Sequence, residues 1–222
     1  MSTAQLAPAR RDVLRRRIRL IVAVTIGWNV IEAVVAIASG AAASSAALVG
    51  FGLDSIVEVL SAAAVAWQFA APDPEAREKA ALRVIAISFF GLATYVTVDA
   101  VLAFAGVQRA EHSTVGIVLA ALSLIVMPVL SFLERRAGRE LGSASAVADS
   151  KQTLICSYLS GAVLLGLLLN TLFGWTWADP IAALVIVYFA VREGLEAWRG
   201  EACAVPVSVL TGEQEFGHEH HG

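Results

Sequence analysis

The stretch Asp54-Ser55-Ile56-Val57-Glu58 places two carboxylates four residues apart inside a long apolar run. On an α-helix that spacing puts both acids on one face, one turn apart. Acids inside a membrane-length apolar helix are costly, so they face a protein interior or a wet cavity and mark an ion or proton route. A second set, Asp149, Gln152 or Thr153, and Cys156, recurs at spacings of three and four and shares a face of its own helix. Two carboxylates and a thiol suit a divalent transition metal. Zinc takes carboxylate oxygen and cysteine sulfur, whereas magnesium and calcium want oxygens only, and more of them. The thiol tilts the choice toward zinc, cadmium or another softer ion. Protons compete for all these ligands, which is the minimal requirement for proton-coupled movement of a metal. Plain packing is the rival role for Cys156, because cysteine is among the most buried residue types. Helix–helix hydrogen bonding is the rival for Gln152 and for the acid pair.

The helices that carry these residues are legible in the composition. With 58% hydrophobic and 16% charged residues in 222, the chain departs from soluble domains, where about a quarter of residues are charged. The expected fold is all-α: a polytopic membrane protein of six transmembrane helices with cytoplasmic N- and C-termini. The spans fall at about 18–39, 46–70, 84–107, 114–133, 141–172 and 178–198, between a polar lead (1–17) and a short tail (199–222). Pro72, Asp73 and Pro74 break one helix and start the next, and the charged run 134–140 is expected as a compact linker. Asp179 is expected to cap span six, with Pro180 in its first turn. Nearly all lysine and arginine lies in the lead, the 71–83 and 134–140 segments and the end of span six, which fixes the orientation by the positive-inside rule. Two cysteines give no disulfide framework, no cleavable leader is expected, and nothing supports a nucleic-acid partner.

Other polar residues lie within the spans. Asn29 and Glu32 share one side of span one and either line a route to the centre or tie that helix to its neighbours. Ser61, three residues after Glu58, is placed to hydrogen-bond it. Asp99 lies toward the outer end of span three, beside an exit path or snorkelling to water. Lys151 is a nearby charge partner for Asp149. At ~1.5 Å per residue, Glu58 and Asp54 lie roughly 18 and 24 Å from the arginine-rich end, and Gln152 and Cys156 roughly 16 and 22 Å. Depth therefore pairs Glu58 with Gln152 and Asp54 with Cys156.

The chain resembles the transmembrane domain of the cation diffusion facilitator (cation efflux) family over about residues 15–200. The resemblance is carried by Ser45-Ala46-Ala47-Leu48, Gly52-Leu53-Asp54-Ser55-Ile56-Val57-Glu58, Ala148-Asp149 and Trp177-Ala178-Asp179-Pro180. It implies six helices, a homodimer in the membrane, and exchange of Zn²⁺ or a related ion for protons by alternating access. It also implies a site built from two acids on helix two and a His or Asp followed four residues later by Asp on helix five. Asp54 and Glu58 match the first half, with Glu for the more usual Asp. Gln152 and Cys156 stand where the second half would be, with Asp149 one turn before Gln152 as an available acid. The family's histidine-rich first cytoplasmic loop is not seen, and the stretch 199–222 stands where its C-terminal cytoplasmic domain would follow.

The expectation is a secondary active transporter in the cell membrane, a bacterial inner membrane, and not an enzyme. Zn²⁺ or a related divalent cation is its cargo, with no prosthetic group. Its partners are membrane lipid, the metal ion, protons and a second copy. Two alternatives stay open: a non-transporting sensor or partner protein of the same fold, and a carrier of another substrate that uses the acid pair for proton coupling.

Overall fold

The computed structural model describes residues 8–69, 74–107, 109–141 and 144–200, and these form six α-helices. They are α1 (Pro8–Ala42), α2 (Ala46–Phe69), α3 (Pro74–Phe104), α4 (Thr114–Leu141), α5 (Ala144–Phe173) and α6 (Ala178–Arg199). Five carry segments long and apolar enough to cross a membrane, from Asp12–Ala42 in α1 to Thr153–Phe173 in α5. At ~1.5 Å per residue the 22 residues of α6 have the length as well, but Arg192, Glu193 and Glu196 crowd its last turns. The chain is an all-α, multi-pass membrane protein.

Membrane burial explains which residues face where. Lipid tails are as apolar as leucine, so packing between helices favours small residues that let backbones approach. Ala36, Ala47, Ala86, Ala100, Ala120 and Ala183 are fully buried. Large side chains such as Leu20, Val34, Ile87, Ile125 and Leu165 face outward. Gly116 on α4 is one point of close approach: a Cβ there would collide with Leu48 Cδ2 and meet Ser113 Oγ at 2.9 Å. Gly116→Val is expected to destabilise the bundle by roughly 1–3 kcal/mol, as overpacking does. Gly161→Ala, whose Cβ would find only Leu124 Cδ1 at 3.7 Å, should leave the thermal midpoint in detergent near wild type.

One end of the bundle gathers the start of α1, the end of α4 (Arg10 Nη2 to Glu140 Oε1, 2.6 Å), and the α2–α3 junction, where the Arg77 guanidinium lies 4.6 Å from the Trp67 ring centroid. At the other end Asn170 of α5 donates to the Ala110 carbonyl at 2.9 Å, and Trp175 stacks on Trp177. The helices pack most extensively as α4 on α5, α3 on α6, and α1 on α2, while α2 and α5 meet over only a short stretch.

Two sequence expectations need correction. The charged run 134–140 is not a linker but the last two turns of α4. Its Glu, Arg and Ala are good helix formers, and charge argues against membrane depth rather than against helix. Asp179 does not cap its own helix: α6 begins at Ala178 after Trp177, which makes no side-chain capping bond. The buried Asp179 carboxylate instead accepts from the Ser45 hydroxyl at 2.5 Å and from the Ala47 N–H at 3.3 Å. It thus satisfies the start of α2, where Ser45 Oγ also accepts from the Leu48 N–H at 3.1 Å. Asp179→Ala leaves these donors buried without that acceptor and should cost about 1–3 kcal/mol in a detergent unfolding titration, with Asp179→Asn recovering part of it.

Candidate metal centre

α2 and α5 bring Asp54, Glu58 and Cys156 together, one ligand atom from each lying within 4.8 Å of the other two. Asp54 and Cys156 are buried and Glu58 is half-buried. The i,i+4 spacing turns both acids toward α5, and Cys156 enters from the opposing face. Ligands around tetrahedral zinc at ordinary bond lengths are roughly 3.4–3.8 Å apart, so rotamer movement of about 1 Å, with the thiol moving off the Glu58 oxygen it bonds, would set the trio around an ion.

The two acids differ in what already holds them. Glu58 Oε2 accepts from Asn29 Nδ2 at 2.6 Å, and Glu58 Oε1 accepts from the Cys156 thiol. No donor reaches the Asp54 carboxylate among the described residues. Glu32 of α1 and Glu193 of α6 lie within electrostatic reach of it. A buried carboxylate among further acids and without a donor is stabilised by a cation or by a proton.

Asn29 and Glu32 tie α1 to its neighbours, in different directions. Asn29 reaches Glu58. Glu32, buried, accepts from the Ser55 hydroxyl of α2 at 2.8 Å and from the Ser123 hydroxyl of α4. The Trp28 indole donates to Ser123 Oγ at 3.1 Å, extending the network along α1.

The depth pairing put Cys156 opposite Asp54; the thiol lies within 4.8 Å of both acids and makes its hydrogen bond to Glu58. α5 begins at Ala144 rather than Leu141, and counting from there puts Cys156 roughly 18 Å in, the depth reckoned for Glu58. Ser61 does not bond Glu58; its hydroxyl donates to the Val57 carbonyl one turn back, at 2.8 Å. Thr153 is buried on α5, its carbonyl accepting from Ser157 Oγ at 3.3 Å. Asp99 is half-buried on α3 and lies near Asp179, in the part of the bundle away from the trio. The side chains of Asp149, Lys151 and Gln152 lie outside the described residues, so the expected Glu58–Gln152 pairing does too. Sequence reasoning missed Ser123, Trp28 and Glu193. Glu193 had one usable signal, an acid beside Arg192 in the last turns of α6.

A bundle of membrane helices with acids and a thiol converging at its interior has the build of a cation-handling protein. The chain belongs to the cation efflux family, whose transmembrane-domain model matches residues 80–199. That stretch runs from α3 through α6 and includes Cys156, while the acid pair lies before it. The chain is also similar to the cation-efflux pump FieF of Shewanella oneidensis, 30% identical over 86 residues, which is 39% of this chain and 29% of that protein.

Proposed function

We propose that the protein is a secondary active transporter, not an enzyme, that carries a divalent transition-metal cation out of the cell in exchange for protons. Zn²⁺ or a similarly soft ion is its cargo. The observation that carries this reading is the convergence of Asp54, Glu58 and Cys156 within 4.8 Å across two membrane helices. Carboxylate oxygens with one thiolate favour zinc or cadmium over magnesium or calcium. Gln152, one turn before Cys156, is by its spacing the candidate fourth ligand, with Thr153 as the alternative on that face, Asp149 one turn earlier as an entry acid and Lys151 as its nearby charge partner. Glu32 and Asn29 act from α1, one on Ser55 beside the acids and one on Glu58 directly.

The half-buried Glu58 lies closer than Asp54 to the arginine-rich end, since the last turn of α2 meets Arg77 through the Trp67 carbonyl. Arg109 is the sole lysine or arginine in the loops at the opposite end, which assigns the arginine-rich end and both termini to the cytoplasm by the positive-inside rule. In that orientation the ion enters past Glu58, displaces protons from the acids and from Cys156, and leaves toward the Asp99–Asp179 end once the helices rock. The full arrangement is six spans, one in each of α1 to α6 with the fifth beginning at Ala144, with a cytoplasmic lead and tail. The protein works as a homodimer in a bacterial inner membrane, with outward-facing apolar side chains against lipid.

One observation favours a second reading. Asn29 and Cys156 already donate to both oxygens of Glu58, so the cluster also stands as a hydrogen-bonded tie between helices with no cargo. This would make the chain a non-transporting sensor or partner protein, or a carrier that uses the acids for protons alone. Proteoliposomes loaded with a zinc- or cadmium-sensitive dye separate the readings. Metal entry driven by a pH gradient, with counterflow of protons, supports transport. Tight metal binding without flux supports the sensor, and proton flux indifferent to metal supports the other carrier.

A further inference from the structure

We propose that the cleft between the start of α1 and the end of α4 is a binding site for the phosphate headgroup of an anionic phospholipid. Arg10, Leu14, Arg17 and Ile21 recur at intervals of four, three and four residues, forming one stripe along α1. Leu133, Arg136, Ala137 and Glu140 form the facing stripe of α4. The two stripes line one cleft of about 400 Å³, a size suited to a small molecule or a headgroup.

The floor of the cleft is apolar and tightly closed. Leu14 is 1% and Ala137 7% exposed, packed in one cluster with Ile18 and Val22. Above it stand three guanidinium groups and a single carboxylate. Arg10 is paired with Glu140 at 2.6 Å, whereas Arg17 and Arg136 form no ion pair among the described residues. Two unneutralised guanidiniums thus share one cleft, and a guanidinium fork matches the oxygens of a phosphate in pairs.

The side walls decide between a dissolved anion and a lipid. Leu20 and Leu133, both exposed to the surroundings of the bundle, line the same cleft. An inorganic phosphate gains nothing from them. A phospholipid puts its headgroup on the arginines and its first acyl carbons against the leucines. From Arg10 to Ile21 the stripe runs ~16 Å along the axis, the right scale for a headgroup and glycerol backbone. Basic clefts between membrane helices at the anionic face of a bilayer take lipid headgroups in this way.

The full chain, delipidated in a maltoside detergent, is titrated with dioleoyl phosphatidylglycerol, dioleoyl phosphatidylcholine or inorganic phosphate. Thermal midpoint and native mass spectrometry read the binding. The phosphatidylglycerol lipid should raise the midpoint and remain bound, while phosphatidylcholine and inorganic phosphate should do neither. Arg17→Ala/Arg136→Ala should need about 30-fold more phosphatidylglycerol for the same shift. Arg17→Lys/Arg136→Lys, which keeps charge and fold but loses the forks, should lie between the two. Lys79→Ala/Arg83→Ala, at a separate basic cleft beside Trp198 and Arg199, should leave the titration nearly unchanged. An equal response to phosphatidylcholine, or a full response to inorganic phosphate, would overturn the proposal. So would an undiminished response in both Arg17/Arg136 variants, or an equal loss in the Lys79/Arg83 variant.

Discussion

Asp54→Asn and Glu58→Gln are each expected to abolish metal-driven flux in proteoliposomes while leaving the protein folded. The magnitude follows from the ligand count. Structural zinc sites bind with about 10–16 kcal/mol over four ligands, so losing one ligand removes roughly 2.5–4 kcal/mol, about 10²–10³-fold in affinity. The amide variants keep side-chain volume, and in Glu58→Gln the new amide oxygen can still accept from Asn29 or Cys156, so the helix contacts survive. Alanine at Glu58 would instead leave the Asn29 amide and the Cys156 thiol without their acceptor. That change confounds lost metal with lost stability, and the amides are the cleaner test. Metal titration of the purified variants reads the effect directly. Wild-type zinc or cadmium affinity in Asp54→Asn or Glu58→Gln would sink the transporter reading. In the unaltered protein affinity should fall steadily as the medium is acidified, because the ion and protons seek the same oxygens and sulfur.

Cys156→Ser should separate soft from borderline metals. A thiolate holds cadmium better than a hydroxyl does, so the substitution should lower cadmium affinity relative to zinc by at least about 10-fold. The serine hydroxyl can still donate to Glu58, so the hydrogen bond across α2 and α5 is retained in kind and the fold is little disturbed. Competition between the two ions on wild type and variant gives the ratio without needing absolute affinities. An unchanged ratio would remove Cys156 from the ligand set and reduce it to a packing residue, leaving the acids to be tested alone.

Length and apolarity made the six helices legible, and the i,i+4 spacing made the acid pair so. The offset between α2 and α5 was not legible, because counting depth requires knowing where a helix begins. Moving the start of α5 from Leu141 to Ala144 brings Cys156 level with Glu58, which it bonds, while Asp54 stays within 4.8 Å of it. The partner of Asp179 was hidden for a different reason. A carboxylate at a helix start has a local explanation ready, and only the fold reveals that Ser45 and Ala47 of another helix sit opposite it. Asn29 and Glu32 share a face in sequence, yet one serves Glu58 and the other Ser55 and Ser123. One narrow face of a helix can touch two neighbours at once, and periodicity does not say which residue meets which. The inward placement of Ser123 had no signal beyond being one serine among apolar residues on α4.

The backbones of α2 and α5 approach each other over only a short stretch, and the trio lies between these two helices. The two helices share the apolar core through side chains such as Phe51 and Leu159, and an ion gripped from both sides would add a polar fastener between them. Arrival of cargo would cinch the bundle at mid-height and departure would slacken it. A spectroscopic ruler spanning α2 and α5 should therefore shorten and narrow its distance distribution when zinc is added, and Glu58→Gln should hold it at the slack value.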